Sequence, residues 1–245
     1  MGVRKLAEMT WTEVRDVAAR AVALWPVGAT EAHGPHLPLA TDVIISEEMA
    51  RRAAERLADA REVLILPALA FTPARFARAF AGTLSISEAT ATATIADVAR
   101  SLASHGVRLL LLVNSHVDPS NLQALRSACE VVTNEGKIRI VFPDKCQKPW
   151  VLKLPEEFKR GGAHAGYYET SLVMASRPQL VREGVRKALP KVDVDLGRKI
   201  REGATDFHAC GGPEAYFGNP AGASIEDGNR FYEILADMIV EAVNE

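Results

Sequence analysis

The sequence predicts an α/β fold, a single domain over residues 1–245 built as a mostly parallel sheet flanked by helices on both faces. Three observations lead there. Short runs rich in Val, Ile and Leu alternate with stretches of helical spacing. Their order, strand, helix, strand, helix, strand, helix, strand, suits parallel strands joined by crossover helices. Polar, chemically able residues follow directly after the apolar runs, where such sheets bind ligands.

The apolar runs Ala21 to Val27, Glu62 to Leu66, Arg108 to Asn114 and Ile138 to Phe142 read as buried parallel strands. After the first, Ser46 is read as the cap of a helix through Leu57, with Glu47 and Glu48 in its first turn, where the helix dipole favours carboxylates. Ser87 caps a long helix through Ser104, closed by Gly106. A third helix is expected from near Ser120 to about Asn134, with Gly136 after it, and a last one from about Ile225 to Val243. The stretch from Pro143 to Gly162 reads as an irregular excursion within the domain, and loops of that length are usually functional.

Composition narrows the class. The 245 residues are 48% hydrophobic and 24% charged, as in ordinary globular proteins, and the formal charge of −2 gives no basic excess for nucleic acid or an acidic membrane surface. Runs such as Val107 to Val113 are far shorter than the ~20 residues of a membrane span. The N-terminus lacks the apolar stretch of a signal peptide. Cys129, Cys146 and Cys210 are odd in number and form no C-x-x-C pair, so neither a disulfide framework nor a thiolate zinc site is expected. A cytoplasmic location follows as the expectation.

The chemistry concentrates at strand ends. The first strand runs into ATEAHGPHLPLATD, which holds Glu31, His33, His36 and Asp42 within twelve positions. Glu31 and His33 are two apart, so in an extended segment both point to one side. A carboxylate and an imidazole on one face suit zinc, manganese or iron. Asp42 comes after a Pro-containing turn and returns toward the same point. His36 is placed to hydrogen-bond a ligand from behind. The third strand ends in SHVDPSN, where His116 and Asp118 are again two apart. Asp118 stands open between two readings, a metal or substrate ligand and the cap of the helix that begins after Pro119. In GGAHAGYYETS, His164 lies among small residues and suits a general acid or base. Glu169 is read as a ligand, as a carboxylate orienting the site, or simply as first-turn helix chemistry. His105 and His208 receive no role.

These segments resemble the creatininase family. PVGATEAHGPHLPLATD is similar to its leading motif and HAGYYETS to its second. LLLVNSH, AGTLSIS (Ala81 to Ser87) and GGPEAYFGNPAGAS fall in the family's order, so the resemblance spans roughly residues 8 to 243. It implies a metal-dependent amidohydrolase with two divalent ions, zinc foremost and Mn2+ or Fe2+ as alternatives. By position it implies Glu31, His33, Asp42, His116 and Glu169 as metal ligands, Asp42 as the bridge, and His164 as the acid/base. It also implies a homo-oligomer, often a hexamer. The implied mechanism is attack of metal-activated hydroxide on a carbonyl.

The chain departs from the family at SHVDPSN. Creatinine-hydrolysing members place a glutamate where Asp118 stands, one methylene longer, so the resemblance does not carry creatinine over as substrate. The expected substrate is a small molecule with a cyclic amide, formamide or related C–N bond. Peptide cleavage in cofactor maturation and ring-opening of a cyclic ketone are the alternatives within the family. Substrate contacts are expected from the 71–82 and 143–162 stretches, with Gly82, Thr83, Arg75 and Arg78 as candidates. Arg75 and Arg78 suit an anionic group, although solvated surface arginines explain them as well.

Two other classes compete. A metal-stabilised binding protein would have a closed site, usually of Cys and His, whereas this set is rich in carboxylates and leaves open positions. A nucleotide-binding domain would need a G-x-G-x-x-G turn after the first strand, and PVGATEAHG lacks that spacing.

Overall fold

The computed structural model describes residues 1–160 and 164–245. Five parallel strands form one sheet in the order β1-β3-β2-β4-β5. They are β1 (Val3–Lys5), β2 (Ala21–Val27), β3 (Glu62–Ile65), β4 (Leu109–Asn114) and β5 (Arg139–Val141). Parallel strands need crossovers, and helices supply them: α1 (Trp11–Val17), α2 (Thr41–Leu57), α3 (Glu88–Ser104) and α4 (Pro119–Glu135). The remaining helices are α5 (Trp150–Lys153), α6 (Glu156–Lys159), α7 (Tyr167–Ser176), α8 (Glu183–Ala188), α9 (Leu196–Arg201) and α10 (Ile225–Asn244).

The period of two along the central strands builds two cores. Val22 and Leu24 of β2, with Leu111 and Val113 of β4, pack against α2, α7 and α10. Ala21, Ala23, Trp25 and Val27, with Leu110 and Leu112, face the opposite way against α3 and α4. Both faces are therefore covered, which is why these strands read as continuous apolar runs. A third, smaller cluster gathers Phe76, Leu196, Phe207, Cys210 and Phe217 beyond the strand ends. Among the described residues, no helix is long and apolar enough to cross a membrane.

Three of the expected helices keep their signals. Ser87 accepts from the Thr90 amide at the start of α3, Gly136 takes the left-handed conformation that ends α4, and α10 begins at Ile225. Two expectations change. Helix α2 begins at Thr41, not after Ser46, and Ser46 lies inside it with its hydroxyl donating to the Val43 carbonyl. A turn in which the Thr41 amide and hydroxyl both donate to the Pro38 carbonyl starts the helix early. Glu48 then sits a turn further in, paired with Arg51 and Arg52. The edge strand β1 is also new. Its three residues, Val3, Arg4 and Lys5, are all exposed and pair with the distant β3.

Candidate metal centre

The site forms where β2 and β4 end, side by side at the centre of the sheet. Gly28 follows β2, and a Cβ there would lie 2.5 Å from the Val43 amide nitrogen. Glycine is what lets the first turn of α2, with Asp42, pack directly on the end of β2. The loop between them is closed by the Glu31 amide donating to the Leu39 carbonyl at 3.0 Å. It is held from outside by Thr83, whose hydroxyl accepts from the Ala32 amide at 3.1 Å. His33 Nδ1 bonds the Glu31 carbonyl at 3.1 Å, which aims Nε2 inward.

From β4, Asn114 and Asn121 both donate to the His116 carbonyl, at 2.7 and 2.9 Å, and so clamp the turn that carries this histidine. His116 Nε2 donates to the Pro73 carbonyl at 2.8 Å, which leaves Nδ1 facing the site. Glu169 enters from the first turn of α7, with Oε2 accepting from the Ala165 amide at 2.7 Å. Ala165 holds a left-handed φ of 53°, a strained conformation for a residue with a side chain. Gly161, Gly162 and Ala163, the small residues expected before His164, lie outside the described residues, as does the end of the 143–162 stretch.

Five side chains converge. His116 Nδ1 lies 3.1 Å from Glu31 Oε1 and 3.0 Å from Asp42 Oδ2. His33 Nε2 lies 3.4 Å from Glu169 Oε2 and 3.7 Å from Asp42 Oδ1. Glu31, Asp42 and His116 thus form one metal-sized group and His33, Asp42 and Glu169 another, with Asp42 common to both. Glu31, His33 and His164 also come within ligand range of one another. All five of the convergent residues are buried.

Burial dominates their protonation. It pushes the carboxyl of Glu31 up and that of Glu169 up to about 7. Burial opposes charge on His33, but Asp42, Glu169 and Glu31 outweigh it and hold His33 up at about 10. Asp42 is held low because His33 and His116 overcome its own burial. Three carboxylates and two imidazoles are therefore sharing protons in a space that divalent cations fit, and metal binding would displace those protons. Glu31 Oε2 and His33 Nε2 are buried with no hydrogen-bond partner among the described residues. Such orphaned atoms are costly unless a ligand completes them.

His164 lies beside this cluster. Its Nε2 bonds the Ala32 carbonyl at 2.8 Å, and its Nδ1 faces Glu31 Oε1 at 3.7 Å. Burial, helped by the neighbouring His33, holds the ring neutral, well below the usual imidazole range. The ring also packs on Phe207, with centroids 4.2 Å apart.

The other sequence-derived candidates fall elsewhere. Asp118 caps α4: Oδ1 accepts from the Ser120 amide at 2.8 Å and Oδ2 from the Phe76 amide at 3.2 Å. It borders the cavity, but both oxygens are engaged by backbone, so the capping reading is the one the geometry carries. Thr83 supports the Glu31 loop and Gly82 makes a turn with φ of 88° under Leu39; neither lines the cavity at the metal centre. Arg75 and Arg78 are exposed and line a separate hollow with Ala79, Thr205 and Asp206. His36 bonds Thr170, the neighbour of Glu169, at 2.9 Å, and not a ligand itself.

Sequence reasoning missed Lys145, which is buried with Nζ donating to the Ser115 carbonyl at 2.7 Å. Its place four residues after β5 was a usable signal. The 71–82 stretch brings Phe76 to the cavity, but Leu196, Ile200 and Phe207, which also wall it, were missed. Nothing local marks them as more than core.

Fold and site together define a parallel α/β hydrolase with a buried carboxylate–imidazole cluster at its strand ends. The creatininase family model, described as creatinine amidohydrolase, matches residues 7–243. The chain is 33% identical to the creatinine amidohydrolase of Pseudomonas putida over 193 residues, 72% of this chain and 73% of that one. It is 32% identical to the mycofactocin precursor peptide peptidase of Mycobacterium tuberculosis over 229 residues, 89% of this chain and 82% of the relative. Among solved structures, a manganese form of creatininase superposes with a TM-score of 0.74 at 28% identity, over 98% of this chain and 96% of that one. A Zn–Zn mutant form gives the same score, identity and coverage. The chain belongs to the creatininase family of amidohydrolases.

Proposed function

We propose that this enzyme, a single domain over residues 1–245, hydrolyses a C–N amide bond at a two-metal centre. Glu31, Asp42 and His116 would hold one divalent ion and His33, Asp42 and Glu169 the other. The observation that carries this reading is the shared carboxylate: Asp42 turns one oxygen toward His116 at 3.0 Å and the other toward His33 at 3.7 Å. The hard and borderline donor set, three carboxylates and two imidazoles, suits zinc, manganese or iron(II), with zinc foremost. Divalent ions bound there supply Lewis acidity, lowering the pKa of a water and polarising the substrate carbonyl.

The chain's own groups do the rest. Hydrogen bonds to backbone carbonyls fix the ring orientations of His33 and His116 before any ion arrives. His164, neutral and anchored through Nε2, presents Nδ1 to the site. It accepts the proton released as water adds to the carbonyl and returns it to the leaving nitrogen. Packing of its ring on Phe207 restricts the orientation of His164.

The substrate is a cyclic amide, a formamide or a peptide-like amide. The relative that aligns over more of this chain is named as a peptide peptidase, which favours the peptide-like amide over ring-opening of a cyclic ketone. Assembly as a homo-oligomer, by resemblance a hexamer, and a cytoplasmic setting complete the reading. Elemental analysis of divalent metal per chain tests it, in the wild type and in His33→Ala. About two equivalents that fall by one in the variant are expected. No bound metal after incubation with zinc, manganese or iron would refute the two-metal reading.

A further inference from the structure

The cavity at the metal centre has a marked chemical asymmetry. On its inner side stand Glu31, Asp42, His116, Glu169 and His164. Its outer wall is carbon: Phe76, Val117, Pro119, Leu196, Ile200 and Phe207. One further polar side chain borders it, Asp118, whose two oxygens already accept from the Ser120 and Phe76 amides. His164 Nε2 is likewise engaged with Ala32. Among the described residues, then, the wall facing the reacting centre offers a substrate no side-chain hydrogen-bond donor, and Asp118, already engaged by two amides, as its acceptor.

That wall is held in place. The Phe207 amide donates to the Phe76 carbonyl at 3.0 Å, and the Phe76 amide in turn donates to Asp118. Phe207 packs against Phe76, Phe217 and His164, with centroids 6.0, 5.5 and 4.2 Å apart. Leu196 and Ile200 lie one turn apart on α9 and present a single apolar stripe. The space between the ligand cluster and this wall is small, about 40 Å³.

A polar or charged substituent placed there would give up hydrogen bonds to water with no side-chain donor to replace them. An aliphatic one gains roughly fourfold in affinity for each methylene buried. We infer that the enzyme selects amides carrying a compact apolar group next to the scissile carbonyl, read by the Phe76–Phe207–Ile200 wall. This rests on the two-metal reading above and specifies the substrate of that same site. It sets the enzyme apart from one acting on a polar, nitrogen-rich ring.

Hydroxamates test this without turnover, because they chelate the metals and point their acyl substituent at the wall. Calorimetry on the metal-loaded enzyme would compare acetohydroxamate, butyrohydroxamate and 3-hydroxypropionohydroxamate, the last two being nearly equal in shape. Butyrohydroxamate is expected to bind about tenfold tighter than acetohydroxamate, and the hydroxylated probe no tighter than acetohydroxamate. Ile200→Gln, at a half-buried position that tolerates the change, should shrink the butyro preference at least threefold, while Ile200→Leu keeps it. Equal or tighter binding of the hydroxylated probe overturns the inference and leaves the metal centre standing. Failure of all three probes to bind protein shown to carry its metal overturns the inference, whereas protein that takes up no metal before any probe is added overturns the metal-centre reading.

Discussion

Asp42 Oδ2 lies 3.0 Å from His116 Nδ1, although the two residues stand 74 positions apart in sequence, one in the first turn of a helix and the other in the loop after a strand. Both are buried, and Asp42 is shared by the Glu31–Asp42–His116 group and the His33–Asp42–Glu169 group. Losing it should therefore empty both positions. Asp42→Asn, which keeps the shape and removes the charge, is expected to bind well under one equivalent of divalent metal by elemental analysis. His33→Ala should keep about one. If Asp42→Asn retained two equivalents, the shared-carboxylate arrangement would be wrong.

His164 should separate from the ligands by its phenotype. Its Nδ1 faces Glu31 at 3.7 Å and its Nε2 is tied to a backbone carbonyl. His164→Gln is expected to leave metal content unchanged while kcat on the best amide substrate drops ~10²–10⁴-fold, the usual contribution of a positioned acid or base. Loss of an equivalent of metal would instead place His164 among the ligands.

Asp118 gives a stability prediction. Asp118→Ala removes the cap of α4 and leaves the Phe76 amide without its acceptor. The expected cost is about 1–3 kcal/mol in a denaturant titration, with two equivalents of metal still bound. A metal deficit without a stability loss would revive Asp118 as a ligand.

Glu157 makes stability depend on pH. Its carboxylate fits against Gly166 and Gly218, where any Cβ would collide with it, and accepts from the Asn219 amide at 2.7 Å and the Tyr168 amide at 3.3 Å. Burial is the larger effect and pushes its pKa from 4.5 up to about 7. A raised acid is more easily kept protonated in the fold than in the unfolded chain. Its contribution is therefore full below pH 4.5 and is lost as pH rises through about 7. That swing is on the order of 3 kcal/mol. Glu157→Gln should flatten the stability profile between pH 5 and 7, roughly, and chemical denaturation across that window reads it out. An unchanged slope would show that Glu157 is not the group responsible.

Much of this is legible in the sequence alone. Four of the five strands, the Ser87 cap and the Gly136 stop are local signals, and the structure keeps them because nothing distant opposes them. Ser46 failed as a cap because the Pro38–Thr41 turn had already started the helix, and that choice depends on Gly28 admitting the helix end to the sheet. β1 was invisible because three residues with two basic side chains carry no strand pattern of their own.

The sequence by itself determined the kind of chemistry: carboxylates and imidazoles two apart, placed at the ends of apolar strands, and the family motifs around them. Those are properties of residue type and spacing, which the chain carries unfolded. Only the tertiary structure decided which oxygen faces which nitrogen, that Asp118 spends itself on the Phe76 amide, and that Phe207 and Ile200 close the cavity. Each of these joins residues at least 40 positions apart in sequence or on separate elements, and such pairings exist only once the sheet has fixed the distances between strand ends.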